Sequence, residues 1–292
     1  VGDLYTKLKA FKSSLDCTKR LYFAKVDVKS AFDTIPQDAV LKLISSLPSE
    51  HEYRISKHVE IKPGENYRSD SKSKPIRKWT ALARPFKDFE TFEETLESGL
   101  AVGRRNMIFI ENIVSLYRDK EEILSLLTEH VQRNMVKIGK KFYRQKEGIP
   151  QGSILSSLLC NYFYADLEAQ HLSFLQCSNS LLLRLVDDFL LITTEPSHAK
   201  RFLQIMHDGL PAYGVRISPD KTLVNFEVSI NEKKLARLVG EHNFPYCGSF
   251  IDTKTLDISK DRARRKDMGT FCINCFVFGE KLTDWKKQSS TL

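Results

Sequence analysis

The stretch "LLLRLVDDFLLITT", from Leu181 to Thr194, constrains this chain more than any other. It places two adjacent acids, Asp187 and Asp188, inside a strongly apolar run. Burying one unpaired carboxylate is costly, and two side by side repel each other. The run reads as a β-hairpin: "LLLRLV", then Asp187 and Asp188 in the turn, then "FLLITT". Its arms are expected in the middle of a covered sheet, with the turn opening toward a cleft. Neighbouring side chains in extended backbone point to opposite sides, so the two acids are expected to be inequivalent. A third acid would complete a metal site. Asp27 is the best candidate, because it ends another apolar β-rich strand, "LYFAKVDV" (21–28), with Asp33 close behind. Hard oxygen ligands with open positions suit Mg²⁺ or Mn²⁺, which would remove the like-charge penalty. The competing reading is that "DD" is simply good turn chemistry.

The rest of the chain reads as a mixed architecture. Residues 3–18 carry Leu4, Leu8, Phe11 and Leu15 at helical spacing, and "PQDAVLKLISSL" follows the first strand as a helix with Pro36 at its first turn. "RISKHVEI" alternates like an exposed strand, and the basic "KPGENYRSDSKSKPIRKW" reads as a loop. "DFETFEETLESG" is an acidic amphipathic segment and "NMIFIENI" a strand. "DKEEILSLLTEHVQRNMV" reads as a helix burying Ile123, Leu126, Leu127 and Val131. "VKIGKKFYRQKEG" has a hairpin pattern around Gly139. Residues 149–175 start with a Gly-containing turn, are capped by Ser153, and continue as a long helix that is apolar on most sides and so expected to be well buried. After the acid hairpin, "SHAKRFLQIMHDGLPAYG" is a helix, and "VRIS", "TLVNFEV", "LARLVG", "FPYCGSFID" and "TLDIS" are short strands. This order gives an α+β fold, an antiparallel sheet with helices packed on one face.

Composition narrows the function. The 292 residues carry a net charge of +8. That excess suits a polyanionic partner such as nucleic acid, and it suits general solubility equally. No apolar stretch approaches the roughly 20 residues that span a bilayer, so no membrane role is expected. The N-terminus shows no apolar signal core and reads as the cut end of a longer chain. The six cysteines mostly sit in apolar surroundings, as free thiols of a reducing compartment do. "FCINC" at 271–275 lacks the two further ligands a structural zinc site needs.

Five motifs then occur in order: "DVKSAFD" (27–33), "GIPQGSILSS" (148–157), "LVDDFLL" (185–191), "DKT" (220–222) and "FPYCG" (244–248). Together they resemble the palm motifs of reverse transcriptases, and their spelling is similar to that of the telomerase reverse transcriptases. The resemblance covers roughly residues 20–260. It implies a polymerase palm with a mixed fingers insertion, divided as 1–48 (start of the palm), 49–135 (fingers insertion), 136–260 (palm) and 261–292 (basic tail, a divergent or incipient thumb). It implies RNA-directed DNA polymerisation by two-metal nucleotidyl transfer with Mg²⁺, for which Mn²⁺ substitutes.

By position, Asp27, Asp187 and Asp188 match the catalytic acids, with the Val28 carbonyl as a further metal ligand. Asp187 matches the principal ligand of the hairpin and Asp188 the supporting one. Phe32 matches the aromatic gate against a ribose 2′-hydroxyl, where many telomerases carry Tyr. Gln151 and Gly152 match the turn that contacts nucleotide and template. Lys221 matches a proton donor to pyrophosphate. Tyr246, Cys247 and Gly248 match the primer grip, and Val186 a contact beneath the primer end or nucleotide. Arg184 is expected in a buried ion pair.

The implied partners are the telomerase RNA, a telomeric single-stranded DNA 3′ end, deoxynucleoside triphosphates and other telomerase domains, in the nucleus at telomeres. The family's basic fingers motifs and thumb are not found in these 292 residues, so weak or no extension by the isolated chain is expected. The alternatives are a retroelement-type reverse transcriptase and a non-catalytic nucleic-acid-binding fragment.

Overall fold

A computed structural model of the chain describes residues 2–15, 20–64, 74–88, 90–240 and 242–260. The tail from 261, with the "FCINC" segment, lies outside the described residues. The chain divides into two compact units, Val1–Val40 with Met135–Leu292, and Leu41–Asn134. In chain order the elements are α1 (Gly2–Ser14), β1 (Tyr22–Asp27), the one-turn α2 (Ala31–Thr34), α3 (Gln37–Ser45), β2 (Glu52–Lys62), β3 (Ile76–Pro85), α4 (Phe92–Thr95), β4 (Ile108–Asp119), α5 (Lys120–Gln132), β5 (Met135–Ile138) and β6 (Lys141–Arg144). There follow α6 (Ile154–His171), β7 (Ser180–Leu185), β8 (Asp188–Thr193), α7 (Pro196–Asp208), β9 (Leu223–Val224), β10 (Ser229–Ile230), β11 (Lys233–Lys234), β12 (Ala236–Arg237), β13 (Asn243–Tyr246), β14 (Ser249–Asp252) and β15 (Ile258–Lys260). None of the described helices is long and apolar enough to cross a membrane.

The first unit is built on a five-stranded sheet in the order β12-β9-β1-β8-β7. All its pairings are antiparallel except β12 with β9. Phe189, Leu190, Leu191 and Ile192 of β8 are all fully buried, so both faces of this strand are covered. That explains why its sequence is continuously apolar rather than alternating. On one face Phe189 and Leu191 stand beside Val26 and Ala24 of β1. Here the Tyr164 ring of α6 lies 5.9 Å from Phe189. Helix α7 packs on the same sheet through Ala199, Phe202, Leu203 and Met206. The other face is not open. Phe23, Leu183, Leu190 and Ile192 form one core with Leu8 and Phe11 of α1, and with Phe244, Tyr246 and Ile251 of β13 and β14. Each such side chain contributes roughly 1.5–3 kcal/mol when fully buried.

Several expectations are corrected. β7 is an edge strand, so only the β8 arm of the acid hairpin lies in the middle of the sheet. Helix α6 buries Ser156, Leu159, Cys160, Phe163, Tyr164 and Leu167, but Ile154, Leu158 and Tyr162 are exposed. Its apolar residues therefore do not all face a core. "FPYCGSFID" is two strands, because Cys247 and Gly248 both take positive φ and close a hairpin between Tyr246 and Ser249. "VRIS" forms isolated bridges only.

The second unit has a three-stranded antiparallel sheet in the order β3-β2-β4. The basic stretch expected to be a loop through Trp79 enters β3 at Ile76, drawn into pairing by the long β2 beside it. The segment after β3 begins with a capping box between Thr91 and Glu94 and passes through α4 into a π-helical turn at Leu96–Leu100. In α5 Val131 is buried as expected, whereas Leu126 is 57% exposed.

Candidate active site

The strand register brings the three acids together. Asp27, the last residue of β1, and Asp188, the first of β8, are direct cross-strand partners. Residues directly opposite one another project to the same side, and the two carboxyl groups share a hydrogen bond. Asp187 joins through the backbone, where its carbonyl accepts the Val28 N–H at 3.1 Å. The hairpin turn therefore consists of Val186 and Asp187, and Asp188 belongs to the strand. This corrects the expectation that both acids occupy the turn: Leu185 pairs with Asp188 and leaves two residues to reverse the chain. It also gives the physical reason for their inequivalence.

Val186 holds a φ of 58°, an unfavourable conformation for a β-branched residue. Arg184 braces it. Its Nη1 donates to the Val186 carbonyl at 3.4 Å and to Asn161 Oδ1 at 2.8 Å, and its Nη2 donates to the Asn161 carbonyl at 3.1 Å. Its Nε pairs with Glu168, so the ion pair expected at Arg184 forms, but it is half-buried rather than buried. The guanidinium also lies 5.9 Å from the Tyr164 ring and 5.7 Å from the Phe189 ring. The turn that carries Asp187 is thus tied to helix α6.

The electrostatics are those of an acid cluster only partly offset. Burial pushes the Asp188 carboxyl up to about 6; Lys25 opposes this, while Asp187 and Asp27 add to it. Lys221 Nζ stands 3.2 Å from Asp27 Oδ2. Desolvation pulls this ammonium down, but the attraction of Asp27, Asp188 and Asp187 outweighs it and the net shift is upward. Tyr246 OH donates to the Asp188 carbonyl at 3.1 Å, and the Cys247 thiol donates to Asp188 Oδ2 at 3.8 Å. Burial, then the nearby Asp188, pushes that thiol up to about 12. The β13–β14 hairpin with Gly248 at its turn is therefore seated against the acids.

A divalent cation fits the chemistry of this donor set, since hard carboxylates crowd together with Asp188 driven toward its neutral form. Among the described residues, no three His, Cys, Asp or Glu side chains converge on one point as they stand. Asp27 is turned to Lys221 and Asp188.

Phe32 is 9% exposed on α2. Its carbonyl accepts the Ile149 N–H at 2.7 Å. A Cβ on Gly148 would lie 2.3 Å from that carbonyl oxygen, and one on Gly214 would lie 1.9 Å from the Thr34 carbonyl oxygen. The short helix bearing Phe32 is wedged between these two glycines. Gln37 Nε2 donates to the Gly148 carbonyl at 2.9 Å, and Gln151 Nε2 to Asp33 Oδ1 at 2.9 Å. Gly152 has a φ of 86° and open space where a Cβ would stand. The structure therefore gathers Asp27, Val28, Val186, Asp187, Asp188, Lys221, Tyr246 and Cys247 at one end of the sheet, with Phe32 and Gln151 linked through the Ile149 and Asp33 contacts. Sequence reasoning missed the parts played by Lys25, Gly148, Asn161, Glu168 and Gly214. Gly148, the first residue of the second motif, was the one legible signal.

The model of a protein family described as "Reverse transcriptase (RNA-dependent DNA polymerase)" matches residues 105–250. The telomerase reverse transcriptase of Rattus norvegicus is 35% identical over 257 residues, covering 85% of this chain and 22% of that protein. That of Mus musculus is 33% identical, covering 89% of this chain and 24% of its own length. The chain thus spans about a quarter or less of these curated relatives. A structure of telomerase from Candida albicans in complex with a TWJ fragment of telomeric RNA superposes with a TM-score of 0.59 at 20% identity, covering 89% of this chain and 34% of that one. At that identity the likeness concerns the fold alone, a polymerase palm-like α/β arrangement.

Proposed function

This chain belongs to the reverse transcriptase (RNA-dependent DNA polymerase) family, and we propose that it is the palm and fingers insertion of a telomerase reverse transcriptase. In this reading the enzyme copies a bound RNA onto a telomeric DNA 3′ end in the nucleus, with deoxynucleoside triphosphates as substrates. The observation that carries it is the pairing of Asp27 with Asp188 at a turn that also presents Asp187, with Lys221 3.2 Å from Asp27. The relatives named above are telomerases, which does not favour the retroelement-type alternative.

The reaction joins the primer 3′-oxygen to the α-phosphorus of the nucleotide and breaks that phosphorus's bond to pyrophosphate. Mg²⁺ ions, or Mn²⁺, supply when bound the acidity at the 3′-hydroxyl and the positive charge on the triphosphate. Asp27 and Asp187, with the Val28 carbonyl, would hold them, and Asp188 would support from the strand. Lys221 has an upward-shifted pKa and so carries a proton at neutral pH; it would give that proton to the departing pyrophosphate. Phe32 would close the space beside the sugar C2′ and Gln151 would touch the incoming nucleotide. Tyr246 and Cys247 would set the primer end against the acids, and Val186 would lie beneath it. Residues 49–135 correspond to the fingers insertion in this reading.

The test is primer extension by the full-length enzyme assembled with its RNA. Asp187→Ala should abolish extension while RNA binding persists. Extension at the normal rate by that variant would overturn the proposal.

A further inference from the structure

The β5–β6 hairpin has no part in the chemistry above, yet its surface is unusual. Its two strands form a sheet of their own, an arrangement that is marginal in water without a covering surface. Met135, Ile138, Phe142 and Tyr143 are 58%, 53%, 64% and 49% exposed. Residues 135–147 hold five cations, Lys137, Lys140, Lys141, Arg144 and Lys146, against Glu147 as the one acid. Among the described residues none of the five has an acidic partner.

The register sorts these side chains by face. Met135 pairs with Arg144 and Lys137 with Phe142, so all four share one side. There Lys137 Nζ lies 5.6 Å from the centre of the Phe142 ring. Val136, Ile138, Lys141 and Tyr143 share the other side. Val136 is the one strand residue that is half-buried rather than exposed, so its side is the one turned toward the protein. The outward side thus presents an aromatic ring between Lys137 and Arg144. From Arg144 the chain has four residues to Gly148, a reach of at most about 14 Å. Gly148 lies against the Phe32 carbonyl, and Gln151 beyond it bonds Asp33. The hairpin is therefore tethered within a few nucleotides' length of the candidate active site.

We propose that the Lys137–Phe142–Arg144 face of this hairpin binds a single-stranded segment of polynucleotide next to the active site. The two cations would hold its phosphates and the Phe142 ring would stack on an unpaired base. Charge complementarity selects a polyanion, and an exposed ring between cations selects one with free base faces over a folded acidic protein. The proposal rests on the polymerase reading of the site.

The test is fluorescence anisotropy of the full chain with labelled single-stranded RNA, single-stranded DNA and a blunt RNA–DNA duplex across a salt series. Lys137→Gln with Arg144→Gln should reduce the slope of log K against log salt by about 1.4 on single strands, near 0.7 per lost phosphate contact. Phe142→Ala should weaken single-strand binding about tenfold with the slope unchanged. The opposite-face pair Lys141→Gln and Tyr143→Ala should change binding less than twofold. The substituted side chains are all exposed, so circular dichroism and melting should match the parent. An unchanged slope in the double variant, equal losses from the two faces, or equal losses on the blunt duplex would each overturn the assignment. Which nucleic acid loses more identifies the strand that the hairpin holds. If Asp187→Ala leaves extension intact while these slopes change as stated, the polymerase reading fails and the binding face stands.

Discussion

Val186, Asp187 and Asp188 show how much a single residue's backbone decides. A one-residue difference puts Asp187 in the turn and Asp188 in the ladder, where its carboxyl meets that of Asp27. Arg184 holds the strained Val186 through its carbonyl and through Asn161 and Glu168. Arg184→Lys keeps the charge but cannot make the forked contacts. It is expected to lower the extension rate at least tenfold, and Mn²⁺ titration followed by electron paramagnetic resonance should show weaker binding, with a lowered melting temperature because the strained turn loses its brace. Asp188 also makes stability depend on pH in metal-free protein. Its folded pKa of about 6 lies above the ordinary value, so the folded state binds the extra proton. The stabilisation is then complete below the ordinary carboxylate pKa and is lost as pH rises through about 6. Asp188→Asn should remove that slope in urea melts between pH 4 and 7 in chelator, leaving the variant more stable than the parent near neutrality.

Among the elements, α2 depends most on its neighbours. It is one turn long, and a helix that short has no stability of its own. It persists because Gly148 and Gly214 let two other backbones approach it closely. Gly148→Ala would force a Cβ to within 2.3 Å of the Phe32 carbonyl at a φ of 73°. A cost of about 3 kcal/mol is expected, at the upper end for single substitutions. Chemical denaturation should read it, and in a variant that still folds, a displaced Phe32 should raise ribonucleotide incorporation. None of this was legible in "SAFD", because a close approach between distant backbones leaves no local periodicity. By contrast α7 was legible as a helix ending before Gly209, because its apolar spacing and its stop signal act within the helix itself; its first turn at Pro196 lay one residue outside the segment read. Leu126 of α5 and the exposed stripe Ile154, Leu158 and Tyr162 of α6 were misjudged for the opposite reason. Apolar spacing reports a face, and only the tertiary structure says whether anything covers it.

For the whole molecule, the two units have separate sources of order. The second unit keeps a buried carboxylate, Glu60, 4% exposed, with Arg104 at 2.9 Å and Lys78 and His58 each at 3.9 Å. Burial raises its pKa, but the Arg104 hydrogen bond and the surrounding positive charges outweigh that and the net shift is downward. Stability from Glu60 is therefore present above the ordinary carboxylate pKa and lost as pH falls below it. Glu60→Gln should flatten this acid dependence and speed amide exchange across 52–62, 76–85 and 108–119, with no change in 180–193, as read by hydrogen exchange and mass spectrometry. The sequence by itself determined the strands and helices with strong periodicity, the five ordered motifs and the three acids as candidates. Those signals are local, because alternation, caps and turn residues act over a few positions. The tertiary structure alone decided that Asp27 stands opposite Asp188, that Lys221 reaches Asp27, that Cys247 and Tyr246 close over the acids, and that Arg184 braces the turn. Apart from the bond from Arg184 to Val186, each of these joins residues far apart in the chain, and their meeting is fixed by strand register and by what each face of the sheet can bury.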